Sequence, residues 1–194
     1  MEEPVEQITY RLAREADAGR LAEIYAPYVR QTAITFEYEA PDVDEFARRI
    51  KTIGVKYPYL VCETEGEIAG YAYASAYRDR TAFQWSAELS VYLDPRFHRK
   101  GIATGLYRRL LALMEMLGYY TVYGVITLPN EGSLKLHENF GFSNAGVWHN
   151  CGYKLGHWRD VICLERHLRP FGTDPRTPLR MEELSPDKVS ALLQ

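Results

Sequence analysis

The chain has 194 residues and a formal net charge of −3. The length predicts one domain with a substantial core, and the charge excludes the global basic field that is typical of nucleic-acid-binding proteins. Cys62, Cys151 and Cys163 form no Cys-x-x-Cys motif, so we interpret them as small buried side chains in a reducing compartment and expect no metal cofactor.

The start of the chain, Met1–Pro4, is acidic and has no apolar segment. No run of apolar residues approaches the length that crosses a membrane. We therefore expect a soluble cytoplasmic protein that acts on neither membranes nor nucleic acids.

The first part of the chain predicts a strand over residues 7–13 and then two helices. Asp17 is placed to cap the first helix, and Pro27 should kink or end it because proline removes a helical donor. Asp42 and Glu45 form a capping-box pattern ahead of the second helix.

Two strands follow, over residues 59–64 and 67–77, with a turn at Glu65-Gly66. In the second strand, alanines alternate with larger polar side chains. The alanine face allows close packing, and the opposite face predicts either core or the wall of a ligand pocket. That face carries Tyr71, Tyr73, Ser75 and Tyr77.

The centre of the sequence predicts a strand over 83–93, a turn and a long helix. Pro95 ends the strand, an apolar stripe from Ile102 to Leu117 predicts a core-facing helix, and Gly118 closes that helix. The turn between them is basic and contains Gly101. Unpaired N–H groups at such a helix start can bind a phosphate or pyrophosphate. The turn matches neither the P-loop nor the dinucleotide motif, which argues against both of those functions.

The last part predicts a strand over 119–128, a helix over 130–139 capped by Asn130, and a hairpin of 145–151 with 154–166 around Gly152. Residues 1–168 are thus predicted to form the domain. Four prolines after Arg169 predict a surface tail over 169–194, with a short helix after Ser185-Pro186 that docks on the domain or on a partner subunit.

The turn from His98 to Ala103 resembles the acyl-CoA pyrophosphate loop of the GNAT N-acetyltransferase superfamily, Gln/Arg-x-x-Gly-x-Gly/Ala, with His98 where Gln or Arg is preferred. The region from Tyr10 to about Leu168 is similar to the phosphinothricin and methionine sulfoximine acetyltransferase branch. The matching segments are Trp85-Ser86-Ala87-Glu88, Ser90-Val91-Tyr92-Leu93, Leu128-Pro129-Asn130 and His137-Glu138-x-x-Gly141-Phe142.

The resemblance implies an α/β (α+β) fold with a mixed, largely antiparallel sheet, helices on both faces and the order β-α-α-β-β-β-α-β-α-β-β. It also implies acetyl-CoA as cosubstrate. The expected pyrophosphate-binding residues are Arg96, His98, Arg99, Lys100, Gly101, Ile102, Ala103 and Thr104. The residues expected along the rest of the cofactor are Val91, Tyr92, Leu93, Asn130 and Ser133.

Two residues match catalytic positions of the family. Glu88 matches the base that deprotonates the acceptor amine, although a strand-edge glutamate in a salt bridge is the plain structural alternative. His137 matches the group that protonates the leaving thiolate, although a lone helical histidine is often structural.

For the acceptor, Arg78 and Arg80 can each bind a carboxylate or phosphinate at two points. The resemblance places Phe36, Tyr73, Phe83 and Tyr92 in the pocket walls. Phe83 replaces a tyrosine that is frequent in the herbicide-detoxifying enzymes, and Arg78 stands where some have lysine, so the substrate is left open.

We therefore predict an N-acetyltransferase that moves an acetyl group to the α-amine of a small acidic amino-acid analogue by direct transfer in a ternary complex. The resemblance also implies a homodimer. One alternative is an acetyltransferase for another amine, such as a protein N-terminus, a polyamine or an aminoglycoside. Another is a non-catalytic CoA-binding module.

Overall fold

The structure is a computed structural model that describes residues 8–194. The acidic start of the chain and Gln7, the first position of the predicted first strand, lie outside the described residues. The strands are β1 (Thr9–Leu12), β2 (Tyr59–Thr64), β3 (Glu67–Ala76), β4 (Ser86–Leu93), β5 (Thr121–Thr127), β6 (Ser143–Lys154) and β7 (His157–His167). The helices are α1 (Ala18–Gln31), α2 (Val43–Gly54), α3 (Ile102–Leu117), α4 (Glu131–Asn139) and α5 (Pro186–Leu193).

The described strands form one sheet in the order β1-β2-β3-β4-β5-β7-β6. Every neighbouring pair is antiparallel except β4 and β5, which are parallel. This confirms the predicted fold class, and the element order is the predicted one with α5 added at its end.

Each sheet face has its own apolar core. Ala72 and Ala74 of β3 lie in the core that α3 covers, where their small side chains let the helix approach closely. On the opposite face, Tyr59 and Tyr71 pack with α1 and α2. The face of β3 that carries the tyrosines is therefore core at Tyr71, and only the later residues of that face can contact a ligand.

Two predicted boundaries were wrong, and of the two outcomes predicted for Pro27 the early end of the helix does not occur. Pro27 lies inside α1, which continues to Gln31 because only one helical bond is lost and buried side chains hold the helix to the sheet. β4 begins at Ser86, because Thr81–Phe83 forms a 3-10 turn in which the Phe83 N–H donates to the Arg80 carbonyl. The β6–β7 hairpin turns at Leu155-Gly156, both left-handed at φ 52° and 79°, and not around Gly152.

The interpretation of 169–194 as a surface tail also needs correction. Met181, Val189 and Leu193 are buried and belong to the core under α3. The short helix predicted after Ser185-Pro186 is α5, and it packs on α3 and β1. None of the helices within residues 8–194 has the length and apolar character needed to span a bilayer.

Candidate active site

The central feature of the sheet is a gap between its two parallel strands. β4 and β5 pair only from Ser86 to Glu88, opposite Thr121–Tyr123. Beyond Glu88 the strands diverge, and a cavity of about 380 Å³ lies between Leu89–Leu93 and Gly124–Thr127. The gap can therefore receive an extended ligand in the position of a missing strand.

The edge of β4 that faces this gap carries usable backbone groups. The Asp94 N–H donates to the Ala69 carbonyl, which continues the antiparallel ladder with β3. Because alternate residues of such a ladder point to opposite edges, Val91 directs its N–H and C=O away from β3 and toward the gap. The outer edge of β5 is fully paired with β7, so the opening is confined to one side.

At the far end of β4, the basic turn leads into α3. Arg99 and Gly101 are left-handed at φ 62° and 79°, and no side chain caps the helix start. The first helical bond runs from the Gly105 N–H to the Gly101 carbonyl. The N–H groups of the first helical turn therefore have no helical acceptor, and they can bind an anion.

Of the predicted cofactor residues, eight line the cavity: Val91, Tyr92, Leu93, His98, Arg99, Ala103, Asn130 and Ser133. The other five do not. Arg96 pairs with Asp94 and Glu67, Lys100 Nζ lies 2.9 Å from Glu65 Oε1, and Ile102 is buried in the core. Gly101 caps the helix and Thr104 is exposed. The part of these five residues in cofactor binding stays a prediction.

The third wall of the cavity is α4. The Asn130 side chain caps it by accepting a hydrogen bond from the Ser133 N–H at 3.2 Å, as predicted from the sequence. His137, one turn farther along, lines the cavity but is only 3% exposed.

Both ring nitrogens of His137 are engaged by the protein. Nδ1 lies 2.8 Å from the Ser133 carbonyl oxygen, which only accepts, so Nδ1 carries the proton. Nε2 lies 2.8 Å from Tyr107 Oη, and in the neutral ring it accepts the tyrosine proton. Burial lowers the pKa of His137, which favours this neutral form.

Sequence reasoning missed Tyr107, which is fully buried on α3. A tyrosine on a buried helix face needs a hydrogen-bond partner, and that requirement was the available signal. Gly124 completes the arrangement, because a Cβ at that position would lie 2.3 Å from His137 Nε2.

Glu88 lies at the apex of the gap, the last residue of β4 that pairs with β5. Its register partners are Ser75 on one side and Tyr123 on the other. Burial raises the pKa of this half-buried carboxyl, and the positive charge of Arg78 partly opposes the shift. We call the sheet face that carries Tyr73, Glu88 and Tyr123 the acceptor face.

Most predicted acceptor residues lie on or over the acceptor face. Tyr73 of β3 pairs with Ser90 of β4. Tyr92, two residues after Ser90 and on the same face of β4, lines the cavity. Phe83 packs edge-on against Tyr77 at 5.9 Å between ring centroids. Arg80 is exposed at the start of the 3-10 turn, and the structure does not bring it into the cavity.

Phe36 is held over the acceptor face by the loop that joins α1 and α2. Its ring packs on Gly152, where a Cβ would lie 2.2 Å from Phe36 Cε2. The buried Lys154 donates from Nζ to the Thr35 carbonyl at 2.6 Å and anchors the loop to β6. No pattern in the sequence indicated this role for Lys154.

The gap has unpaired helical N–H groups at one end and a half-buried carboxylate at its apex, an arrangement that can receive a long anionic ligand along the edge of β4. The family description "Acetyltransferase (GNAT) domain" matches residues 10–163. The chain therefore belongs to the GNAT acetyltransferase family.

Relatives within this family cover most of the chain. It is 37% identical to the phosphinothricin N-acetyltransferase of Streptomyces viridochromogenes over 79% of this chain and 84% of that protein. It is 30% identical to the L-methionine sulfoximine/L-methionine sulfone acetyltransferase of Salmonella typhimurium, over 83% and 95%. The crystal structure of a phosphinothricin acetyltransferase from Sinorhizobium meliloti with AcCoA is 37% identical, with a TM-score of 0.83 over 93% and 96%.

Proposed function

We propose that this protein transfers the acetyl group of acetyl-CoA to the α-amine of a small acidic amino-acid analogue of the phosphinothricin or methionine sulfoximine type. The observation that carries the proposal is the position of Glu88 at the apex of the β4–β5 gap. The relatives named above support the choice of donor and acceptor.

In this proposal the pantetheine arm lies along Leu89–Leu93, with its pyrophosphate at the turn before α3. The backbone of Val91 binds the arm in the manner of a neighbouring strand. The cavity lining by His98, Arg99 and Ala103 supports this placement. Asn130 and Ser133 line the other side of the arm.

Glu88 acts as the base, directly or through one water. The α-amine of a free amino acid is mostly protonated at neutral pH, so it must lose a proton before it can attack. Glu88 takes one proton from the ammonium group, and the amine nitrogen forms a bond to the thioester carbonyl carbon. The C–S bond then breaks with its electrons leaving on sulfur, and the nitrogen loses its second proton to water as the neutral amide forms. The raised pKa of Glu88 strengthens it as a base.

For His137 we propose a positioning role in place of the predicted proton donor. Its single proton is directed to Ser133, and its other nitrogen accepts from Tyr107. A thiol is a far stronger acid than water, so the sulfur can leave as the thiolate and then take a proton from water.

A thiol-release assay tests the function. Phosphinothricin, methionine sulfoximine, methionine sulfone and common amino acids are supplied at one concentration with acetyl-CoA. We expect the highest kcat/KM for the acidic analogues. Preference for a polyamine, an aminoglycoside or a peptide N-terminus would assign the enzyme to another amine, and background release with every acceptor would indicate a non-catalytic CoA-binding module.

The predicted homodimer and cytoplasmic location remain proposals. The tip of the β6–β7 hairpin supports the homodimer, because exposed apolar side chains at a sheet edge are typical of a protein–protein interface. The exposed fractions of Tyr153, Leu155 and Trp158 are 50%, 50% and 63%. Sedimentation of the native protein and of a Trp158→Ala variant would test whether this tip joins two copies.

A further inference from the structure

We infer that Trp148 is a positioning residue of the acceptor site, and that its ring and the ring of Tyr77 together hold the Arg78 guanidinium across the mouth of the acceptor face. This inference rests on the proposed function and adds a residue that the sequence did not indicate. It concerns the end of the acceptor that carries its anionic group.

The geometry places Arg78 between two aromatic rings from distant parts of the chain. Arg78 Cζ lies 5.1 Å from the centroid of Tyr77 and 5.9 Å from that of Trp148. Tyr77 directly follows β3, whereas Trp148 belongs to β6 at the edge of the sheet. In the sheet order, β4, β5 and β7 lie between these two strands. Rings from both sides of the acceptor face therefore reach the Arg78 guanidinium.

The strand register shows that Trp148 projects from the same face as Glu88. Trp148 pairs with Val161, which pairs with Thr127. Thr127 and Tyr123 are four residues apart on β5, so they share a face. Tyr123 is the register partner of Glu88. Trp148 thus belongs to the acceptor face without belonging to the cofactor cavity.

The two rings beside Arg78 differ in how tightly the protein packs around them. Tyr77 stacks on Tyr123 at 4.0 Å between centroids and packs edge-on against Phe83, so its ring is fixed. Trp148 is 40% exposed. The position of Arg78 therefore depends on Trp148 for its outer support, and a cation over an aromatic ring gains attraction from the ring face.

The Arg78 guanidinium has its hydrogen-bonding groups available. Within residues 8–194, no carboxylate forms an ion pair with it and no hydrogen bond engages its side chain. Ring contacts leave the N–H groups at the guanidinium edge unused, and those groups form two-point bonds with a carboxylate or phosphinate. An acceptor bound there would present its amine toward Glu88.

Kinetics of Trp148→Ala, Trp148→Phe and Phe171→Ala test the inference, with the acceptor of highest kcat/KM in the panel. We expect Trp148→Ala to raise the acceptor KM about two- to fivefold, the range for an exposed cation–aromatic contact. The acetyl-CoA KM and kcat should stay unchanged, and Trp148→Phe should recover most of the loss. Phe171→Ala, which removes an exposed ring that packs against Tyr120, is the matched control.

A double-mutant cycle completes the experiment. If Trp148 acts through Arg78, Trp148→Ala should add little to the acceptor KM of Arg78→Ala. Additive effects, or an unchanged acceptor KM in Trp148→Ala, would overturn the inference while leaving the proposed function intact. Absence of wild-type turnover with every amino-acid acceptor would overturn the proposed function, and this inference with it. Circular dichroism would confirm that each variant is folded.

Discussion

Tyr107 Oη and His137 Nε2 lie 2.8 Å apart and join α3 to α4 beneath the cofactor cavity. The bond is buried, and its direction follows from the Nδ1 proton that His137 donates to Ser133. It fixes the imidazole as one neutral tautomer and seats it against Gly124. The pair therefore shapes the wall of the gap between β4 and β5.

This bond predicts how His137→Gln and Tyr107→Phe should behave. Loss of a general acid typically lowers turnover by about 10²–10⁴-fold, and we expect a much smaller loss of kcat in both variants. Both should lose stability, because removing one partner of a buried bond costs about 1–3 kcal/mol. Urea unfolding and steady-state kinetics measure the two effects. A loss of kcat in the general-acid range with normal stability would restore the proton-donor role to His137.

The same histidine should make stability depend on pH. Its pKa in the folded protein is lowered by burial, from an ordinary value of about 6.5. Below pH about 6.5 the imidazole binds a proton more readily in the unfolded chain than in the folded chain, so the free energy of unfolding falls as pH decreases. The loss begins near the unfolded pKa and is complete below the folded one.

Melting temperatures of the wild type and His137→Gln between pH 8 and pH 5 measure this contribution. We expect the wild type to lose more stability than the variant over the lower part of this range. Parallel curves would show that other groups account for the acid sensitivity.

Local patterns in the sequence predicted the helices, most of the strands and the residues at the start of α3, because periodicity and capping depend on near neighbours. The apparent alternation at Phe83 and Trp85 extended β4 too far, since a 3-10 turn there places the side chains by chance in a strand-like pattern. Gly152 suggested a turn, but its lack of a side chain makes room for Phe36. The two partners of His137 and the ring over Arg78 arise from tertiary contacts, which no local pattern encodes.

Glu88→Gln should lower turnover strongly while leaving acetyl-CoA affinity nearly unchanged, because the amide cannot take the ammonium proton. In the wild type, kcat/KM should fall with decreasing pH through a pKa above the ordinary glutamate value, since burial raises the pKa of Glu88. Titratable groups near this carboxyl include Arg78, Tyr73, Tyr107 and Cys163, together with its register partner Tyr123. Unchanged turnover of the variant at pH 7 would remove Glu88 as the base.

Arg78→Ala gives a separate test of the acceptor face. It should raise the acceptor KM more than the acetyl-CoA KM, because the guanidinium lies away from the cofactor cavity. It should also shift the acid limb of kcat/KM to higher pH, since the positive charge of Arg78 lowers the pKa of Glu88. Arg108→Ala, at an exposed position of α3, is the matched control. If Arg78→Ala raises the acetyl-CoA KM more than the acceptor KM, Arg78 serves the cofactor and not the acceptor.

Gly124→Ala should disturb the cofactor cavity from within the sheet. The added Cβ would lie 2.3 Å from His137 Nε2, so the imidazole or α4 must move. Overpacking of this kind costs typically about 1–3 kcal/mol, and a displaced α4 should raise the acetyl-CoA KM because Asn130 and Ser133 line the cavity.

The control for Gly124→Ala is Gly19→Ala in α1, where nothing lies within 4 Å of the added Cβ. Alanine is a better helix former than glycine by about 0.8–1.0 kcal/mol, so this variant should be slightly more stable than the wild type. Thermal unfolding and steady-state kinetics measure the stability and the acetyl-CoA KM of both variants. If Gly124→Ala keeps the wild-type KM and stability, His137 is free to move, and its bond to Tyr107 does not set the width of the gap.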